Sequence, residues 1–177
     1  MDQKEKKLNT LTLALGIALL PPLWAVFAPH IGISTGAVAL ICAGLFVANG
    51  NQYHQAPKIC IGFLLGDCWA VLALFLMNQL KLNPDLELFL TLFLLGGAAV
   101  FIATAMEQFI FLPSWLCGWA IGLTIMAPAG YGKLTTLPMQ IGGAMIVGVF
   151  YVGVGVDLFQ KLLLHKMKTI RKNEGKQ

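Results

Sequence analysis

The charged residues of this 177-residue chain are concentrated at its two ends. Between Leu8 and Gln160 there are only eight formal charges, and nine of the twelve lysine and arginine residues lie outside that stretch. The chain is 58% hydrophobic and 11% charged, with a mean hydropathy of +0.77, whereas a soluble domain carries about 25% charged residues. The pattern therefore predicts an integral membrane protein whose middle is solvated by lipid.

The apolar stretch divides into six segments long enough to cross a bilayer, since a spanning helix needs about 20 apolar residues. Breaks rich in polar residues, Gly or Pro separate them. The predicted spans are 9–28, 33–49, 57–79, 86–106, 110–129 and 137–163. The sequence thus predicts an all-α fold, a six-helix transmembrane bundle, as one integral membrane domain covering residues 1–177.

The lysines predict the orientation of this bundle. Both terminal tails are basic, and basic tails favour the cytoplasmic side. An even number of spans puts both tails there and places Lys58 on the same side. Lys81 and Lys133 then lie outside as single exceptions.

The chain also shows a weak internal repeat. A shift of 80 residues pairs Ser34 with Ser114 and Gly62 with Gly142, and it superimposes the first three spans on the last three. Three spans per unit would make halves 9–79 and 86–163 inverted copies, an arrangement typical of transporters and channels. The alternative is two unrelated sets of three spans.

Asp67 is the main candidate for a functional side chain, because it falls near the predicted bilayer midplane, about 14 Å along a helix from Lys58. A carboxyl at that depth costs several kcal/mol and usually faces a cavity, a partner or a proton path. We therefore consider it a group that binds a solute or accepts a proton. The alternative is a neutral carboxyl that is hydrogen-bonded to a neighbouring helix.

The ends of spans 2 and 5 occupy matching positions in the two putative halves. Asn49, Gln52 and Tyr53 close span 2, and Pro128 to Tyr131 closes span 5. Gly and Pro there would free backbone groups to face a cavity, and uncharged side chains would suit a neutral polar solute. Both stretches are equally consistent with ordinary surface turns.

Two tryptophans and an ion pair complete the candidates. Trp69 lies mid-span and faces away from Asp67 on an ideal helix, so it either lines a pore or packs against another span. Trp115, near a predicted span end, is typical of a membrane-interface residue. Asp157 and Lys161 have the spacing of an ordinary helical ion pair.

Small residues recur at four-residue spacing, for example Gly62 with Gly66 and Gly118 with Gly122. This spacing favours close helix packing inside the bundle and, as a second interpretation, a homo-oligomer interface. No ATP-binding, metalloprotease or hydrolase motif occurs. The cysteines and histidines show no metal-ligand spacing. We therefore expect no enzyme activity, no cofactor, no metal and no nucleic-acid partner.

Three short motifs resemble a known family. The first span is rich in Leu and Gly and contains a Trp, Gly44 to Ala48 closes the second, and Gly66-x-x-Trp69-Ala70 lies in the third. Together they resemble the DUF1097 family of small, multi-spanning bacterial inner-membrane proteins. The resemblance implies the bacterial inner membrane and assigns no site residues.

These observations lead to three functional hypotheses. The first is a channel or facilitator for a small uncharged polar solute of the urea, amide or small-alcohol type, with a solute pathway formed by Asp67, Asn49, Gln52, Tyr53, Trp69, Pro128 and Tyr131. The second is a proton- or ion-coupled transporter that uses Asp67. The third is a non-transporting assembly or regulatory subunit, whose small-residue faces bind partner spans.

Overall fold

The protein forms a helical bundle. The computed structural model describes residues 3–80, 82–130 and 135–174. Its α-helices are α1 (Gln3–Phe27), α2 (Val38–Ala48), α3 (Ala56–Leu80), α4 (Pro84–Ala105), α5 (Leu112–Ala129), α6 (Leu137–Val147) and α7 (Gly155–Glu174). A π-helical segment, Gly148–Val154, joins α6 to α7 without a break. Counting that pair as one, the described residues form six helices.

Five of these six helices are long and apolar enough to cross a membrane. The predicted bundle is therefore confirmed, but the prediction of a full-length second span over 33–49 is wrong. Helix α2 has 11 residues, which is about 16 Å of helix against a hydrocarbon core of about 30 Å. Left-handed backbone at Gly32 (φ 79°) and Gly50 (φ 84°) flanks it, and residues 34–37 form turns.

Helices α3 and α5 run parallel and touch through their backbones. A Cβ on Gly62 would overlap Ser114, one on Gly66 would overlap the backbone of Trp115 and Trp119, and one on Gly122 would lie 2.5 Å from the Ala70 side chain. Because no larger residue fits, these glycines allow the two helices to approach closely. The prediction of close packing inside the bundle is thus confirmed.

Helix α2 runs parallel to the α6–α7 helix in a second pair of the same kind. The Ser34 hydroxyl donates to Gln140 Oε1 at 2.8 Å. Further along, a Cβ on Gly148 would lie 2.6 Å from the Ala39 backbone, and one on Gly153 would lie 2.9 Å from the Phe46 ring. The contacts therefore advance in the same direction along both helices.

The contacts within the two pairs lie at positions that the 80-residue shift relates to each other. Gly62 lies against Ser114 in the first pair. In the second pair Ser34 bonds Gln140, and the Ile33 side chain lies 3.7 Å from where a Gly143 Cβ would be. Contact between segments 33–34 and 140–143 is what the shift predicts from the contact between Gly62 and Ser114.

Helix α1 packs antiparallel on α7, which places the beginning and the end of the described chain together. Gln160 Nε2 donates to the Asn9 carbonyl at 3.1 Å, and the Val156 side chain lies 3.1 Å from where a Gly16 Cβ would be. We name this side of the bundle the termini end. The opposite end holds Ser34, Gln140 and the last turn of α5.

Candidate functional site

Asp67 lies near the middle of α3, in the core of the bundle. The residue is 5% exposed, and its carboxyl faces two other helices. Oδ1 is 3.4 Å from the place where a Gly122 Cβ would be, and Oδ2 is 3.8 Å from the corresponding place at Gly142. Asp67 thus lies where α3, α5 and α6 meet, and the two glycines leave room for the carboxyl.

One oxygen of the Asp67 carboxyl is buried without a hydrogen-bond partner in the described part of the chain. Among the described residues nothing donates a hydrogen bond to Oδ1, which is enclosed by the protein. An unpartnered buried polar group costs more than one exposed to water. The alternative of a carboxyl hydrogen-bonded to a neighbouring helix finds no support in the described contacts. Such a group can bind a proton, a cation or a hydrogen-bond donor of a solute.

An open cavity of about 400 Å³ lies at the opposite end, between helices from both putative halves. Its lining is uncharged and comprises Ser34, Thr35, Ala37, Val38, Ile125, Ala129 and Leu137. Asp67 is not among these residues. We name this space the outer cavity.

The predicted pathway residues from span 2 lie at the termini end, away from Asp67. Asn49 caps α2, Gln52 precedes a short 3₁₀ turn, and Tyr53 is 61% exposed. The start of α3 is about 16 Å along the helix axis from Asp67. These three residues and Asp67 therefore do not form one cluster.

Trp69 also lies apart from the carboxyl, as the helical geometry predicts. Its Nε1 donates to the Leu95 carbonyl in α4 at 3.0 Å. Its ring meets that of Trp115 edge-on, with 5.1 Å between centroids. The interpretation of Trp115 as a membrane-interface residue is wrong: it is 2% exposed, because it packs against α3 and α4 inside the bundle.

The predicted break after span 5 lies at the opposite end. Pro128 is exposed within the last turn of α5, and Gly130 has a φ of 74°. Parallel packing with α3 puts this break on the far side of the bundle from Asn49, Gln52 and Tyr53. Tyr131 lies outside the described residues.

The sequence predicted only one part of a polar cluster at the termini end. Asp157, 4% exposed, forms the expected ion pair with Lys161 at 2.6 Å, and Lys161 Nζ lies 5.2 Å from the centre of the Tyr53 ring. Asp157 Oδ1 also accepts a hydrogen bond from Asn51 Nδ2 at 3.1 Å. The sequence Asn49-Gly50-Asn51 indicates a tight turn, but nothing in it identifies Asp157 as the partner.

The described residues define a multi-pass integral membrane protein: a bundle of apolar helices, five of them long enough to span a bilayer, with the Asp67 carboxyl in its core. A family model described as "Protein of unknown function (DUF1097)" matches residues 14–161. The chain therefore belongs to the DUF1097 family. No curated protein and no solved structure matches the chain.

Proposed function

We propose that the protein transports a small polar solute across the membrane, and that Asp67 binds the solute or a coupled proton. The observation that carries this proposal is the Asp67 carboxyl, which is buried mid-helix with an enclosed Oδ1 that has no partner among the described residues. A group this costly in a membrane is typical of transport pathways. Transport, rather than catalysis, is the activity that we assign to it.

Two parallel helix pairs support an origin by inverted duplication, with halves 9–79 and 86–163. The 80-residue shift relates α3 to α6 and α2 to α5, so it relates the pair α3–α5 to the pair α2–α6. The contact between Gly62 and Ser114 has its counterpart between segments 33–34 and 140–143. Inverted halves with a site at their interface are a common design among transporters. Asp67 lies at such a place, between α3 of one half and α5 and α6 of the other.

The protein encloses the Asp67 carboxyl. This favours a carrier, which exposes the carboxyl to one side of the membrane and then to the other, rather than a permanently open channel. The lining residues of the outer cavity do not include Asp67. Its polar side chains, Ser34 and Thr35, are neutral, and so is the neighbouring Gln140. These groups favour an uncharged solute with hydroxyl or amide groups at the mouth of the pathway.

The basic residues support a cytoplasmic termini end in a bacterial inner membrane. Lys6, Lys7, Lys58, Lys161 and Lys166 all belong to segments at that end. Lysines accumulate on the cytoplasmic side. The outer cavity then faces away from the cytoplasm.

A homo-oligomer would have to use surfaces other than the α3–α5 glycines, which are occupied inside the bundle. Helix α4 offers the best candidate surface. Its outward side chains include Phe89, Phe93 and Phe101, which are 63%, 66% and 78% exposed. We propose that a second copy packs against this face.

Flux measurements in proteoliposomes test the proposed function. Urea, acetamide and glycerol would be offered to wild type, Asp67→Asn and Glu107→Gln, with and without a pH gradient. We expect Asp67→Asn to abolish flux and Glu107→Gln, a carboxyl outside the spans, to preserve it. Flux that follows the pH gradient supports proton coupling, and flux indifferent to it supports a facilitator. Equal flux in Asp67→Asn and wild type would overturn the assignment of Asp67.

Absence of flux for every solute, with a stable hetero-complex after mild detergent extraction, would overturn transport altogether. It would favour the assembly or regulatory hypothesis.

A further inference from the structure

The Met126 side chain lies beside the Asp67 carboxyl, on the side of the bundle that holds the outer cavity. Met126 is fully buried and lies one helical turn beyond Gly122 on the same face of α5. Its Cε is 3.0 Å from the place where a Gly122 Cβ would be, and Asp67 Oδ1 is 3.4 Å from that same place. The methionine methyl group and the carboxylate oxygen therefore converge on one point.

The sequence of residues along α5 leads from the cavity to this point. Ala129 and Ile125 line the outer cavity, Met126 follows at the level of Ile125, and Gly122 lies one turn deeper beside Asp67. Going inward along α5, the residues that line the cavity come first, Met126 comes next, and Gly122 beside Asp67 comes last. Met126 itself does not line the cavity, so a solute moving from the cavity toward Asp67 along this helix would pass Ile125 and then the Met126 side chain.

We infer that Met126 is the gate of the solute pathway: its side chain closes the outer cavity from Asp67, and its displacement admits a small polar solute. The inference rests on the proposed function, because it assigns the direction of access to the same carboxyl. Methionine suits the role, since its unbranched side chain changes rotamer without moving the helix. The close α3–α5 contact on its inner side leaves the side chain, not the backbone, as the part that moves.

Met145 provides a matched control on the other side of the carboxyl. It is fully buried as well and lies three residues beyond Gly142, the other glycine beside Asp67. Helix α6 runs from the opposite end toward the termini end, so Met145 lies on the termini side of Asp67. Truncating Met145 removes as much buried volume as truncating Met126 but does not open the path to the outer cavity.

The test measures access to position 67 without requiring transport. Asp67→Cys, in a chain whose native cysteines are replaced, would be combined with Met126→Ala, Met126→Val, Met126→Leu or Met145→Ala. Right-side-out and inverted vesicles would be exposed to a membrane-impermeant methanethiosulfonate reagent, and the labelling rate measured. Monodisperse elution in detergent would select folded variants. Met126→Val keeps the test possible if Met126→Ala does not fold.

We expect Met126→Ala to accelerate labelling from the side of the outer cavity about tenfold, which corresponds to an activation barrier lower by about 1.4 kcal/mol. Met126→Val should give a smaller increase, and Met126→Leu, which conserves volume, none. Met145→Ala should leave labelling from that side unchanged. Equal acceleration by Met126→Ala and Met145→Ala, or acceleration from the termini side alone, would overturn the gate.

Failure of the gate and failure of the transport proposal give different results. If flux requires Asp67 but Met126→Ala leaves labelling unchanged, the gate is wrong and transport stands. If labelling rises in Met126→Ala but flux is indifferent to Asp67→Asn, access through Met126 stands and the role of Asp67 in transport is wrong.

Discussion

The two parallel helix pairs, α3–α5 and α2–α6, occupy equivalent places in the bundle but are held together differently. The first is joined at several levels by glycines that bring the backbones into contact. The second contains an 11-residue helix; it makes one such backbone contact, between Gly148 and Ala39, and is joined by side-chain hydrogen bonds at both ends. Backbones in direct contact cannot move closer together without a clash, whereas a side-chain hydrogen bond contributes only about 1 kcal/mol and can break and re-form. We therefore expect α3–α5 to be the fixed pair and α2–α6 the adjustable one.

The largest effect is expected where the fixed pair is broken. Gly66→Leu would force a side chain into the backbone of Trp115 and Trp119, and overpacking of this kind costs about 3 kcal/mol or more. We expect loss of folded protein, measured as the fraction that elutes as a monodisperse peak from detergent. Gly97→Leu is the control, because a Cβ at Gly97 meets nothing within 4 Å. Comparable losses in the two variants would contradict the fixed pair.

The second-largest effect is expected in the adjustable pair when Asp157 is lost. This residue joins the α2–α3 connection to α7. Asp157→Ala leaves Asn51 Nδ2 and Lys161 without their shared partner, at a cost of about 2 kcal/mol. Asp157→Asn keeps an acceptor for Asn51 and should cost about half as much. Thermal unfolding in detergent would measure both. If the Asn variant is as unstable as the Ala variant, the ion pair and not the Asn51 bond holds this end.

Asn51 allows the backbone and side-chain contributions at this end to be separated. Its φ of 55° is a left-handed conformation that costs most residues about 1–2 kcal/mol. Asn51→Ala loses the bond to Asp157 and adds this strain, whereas Asn51→Gly loses only the bond. The greater freedom of glycine in the unfolded chain offsets part of its advantage, so we expect Asn51→Gly to be more stable than Asn51→Ala by about 1 kcal/mol.

The same thermal unfolding measurement would compare the two Asn51 variants. An alanine variant at least as stable as the glycine variant would show that the backbone at position 51 is unstrained.

The smallest effect compares two serines that the 80-residue shift relates. Ser34 is exposed and donates to Gln140, so Ser34→Ala should cost about 0.5 kcal/mol. Ser114 is fully buried and donates to the Phe111 carbonyl at 2.7 Å, so Ser114→Ala should cost about 1.5 kcal/mol. Parallel unfolding curves would measure the difference. Equal costs would mean that the two pairs are alike at this level.

The sequence was sufficient to locate the helices and the buried carboxyl, because hydropathy and charge decide what enters lipid. It was insufficient for the length of α2, since residues 33–37, although less apolar than the helix that follows them, carry no charge that would exclude them from a span. The turn there depends on the positive φ of Gly32 and on the fit of Ser34 to Gln140. Local hydropathy does not register either feature.

Pairing between distant segments was the other part that sequence patterns left open. The glycine spacing predicted close packing but not that Gly66 meets Trp115 or that Gly122 leaves room for Asp67. The bond between Asn51 and Asp157 joins residues 106 positions apart. Met126 resembles any other apolar residue of a span, and its place between the outer cavity and the carboxyl depends entirely on how α3, α5 and α6 meet.

The π-helical segment Gly148–Val154 sets the angular phase between the two parts of the last helix. A π turn carries an extra residue, and each residue of an α-helix represents about 100° of rotation. If the same seven residues were wound as an α-helix, the turn would no longer absorb the extra residue, and α7 would rotate by about that angle relative to α6. Gly142 would stay beside Asp67, while Asp157 would turn away from Asn51. The extra residue thus lets a single continuous helix face the carboxyl at one level and α1 and the α2–α3 connection at another.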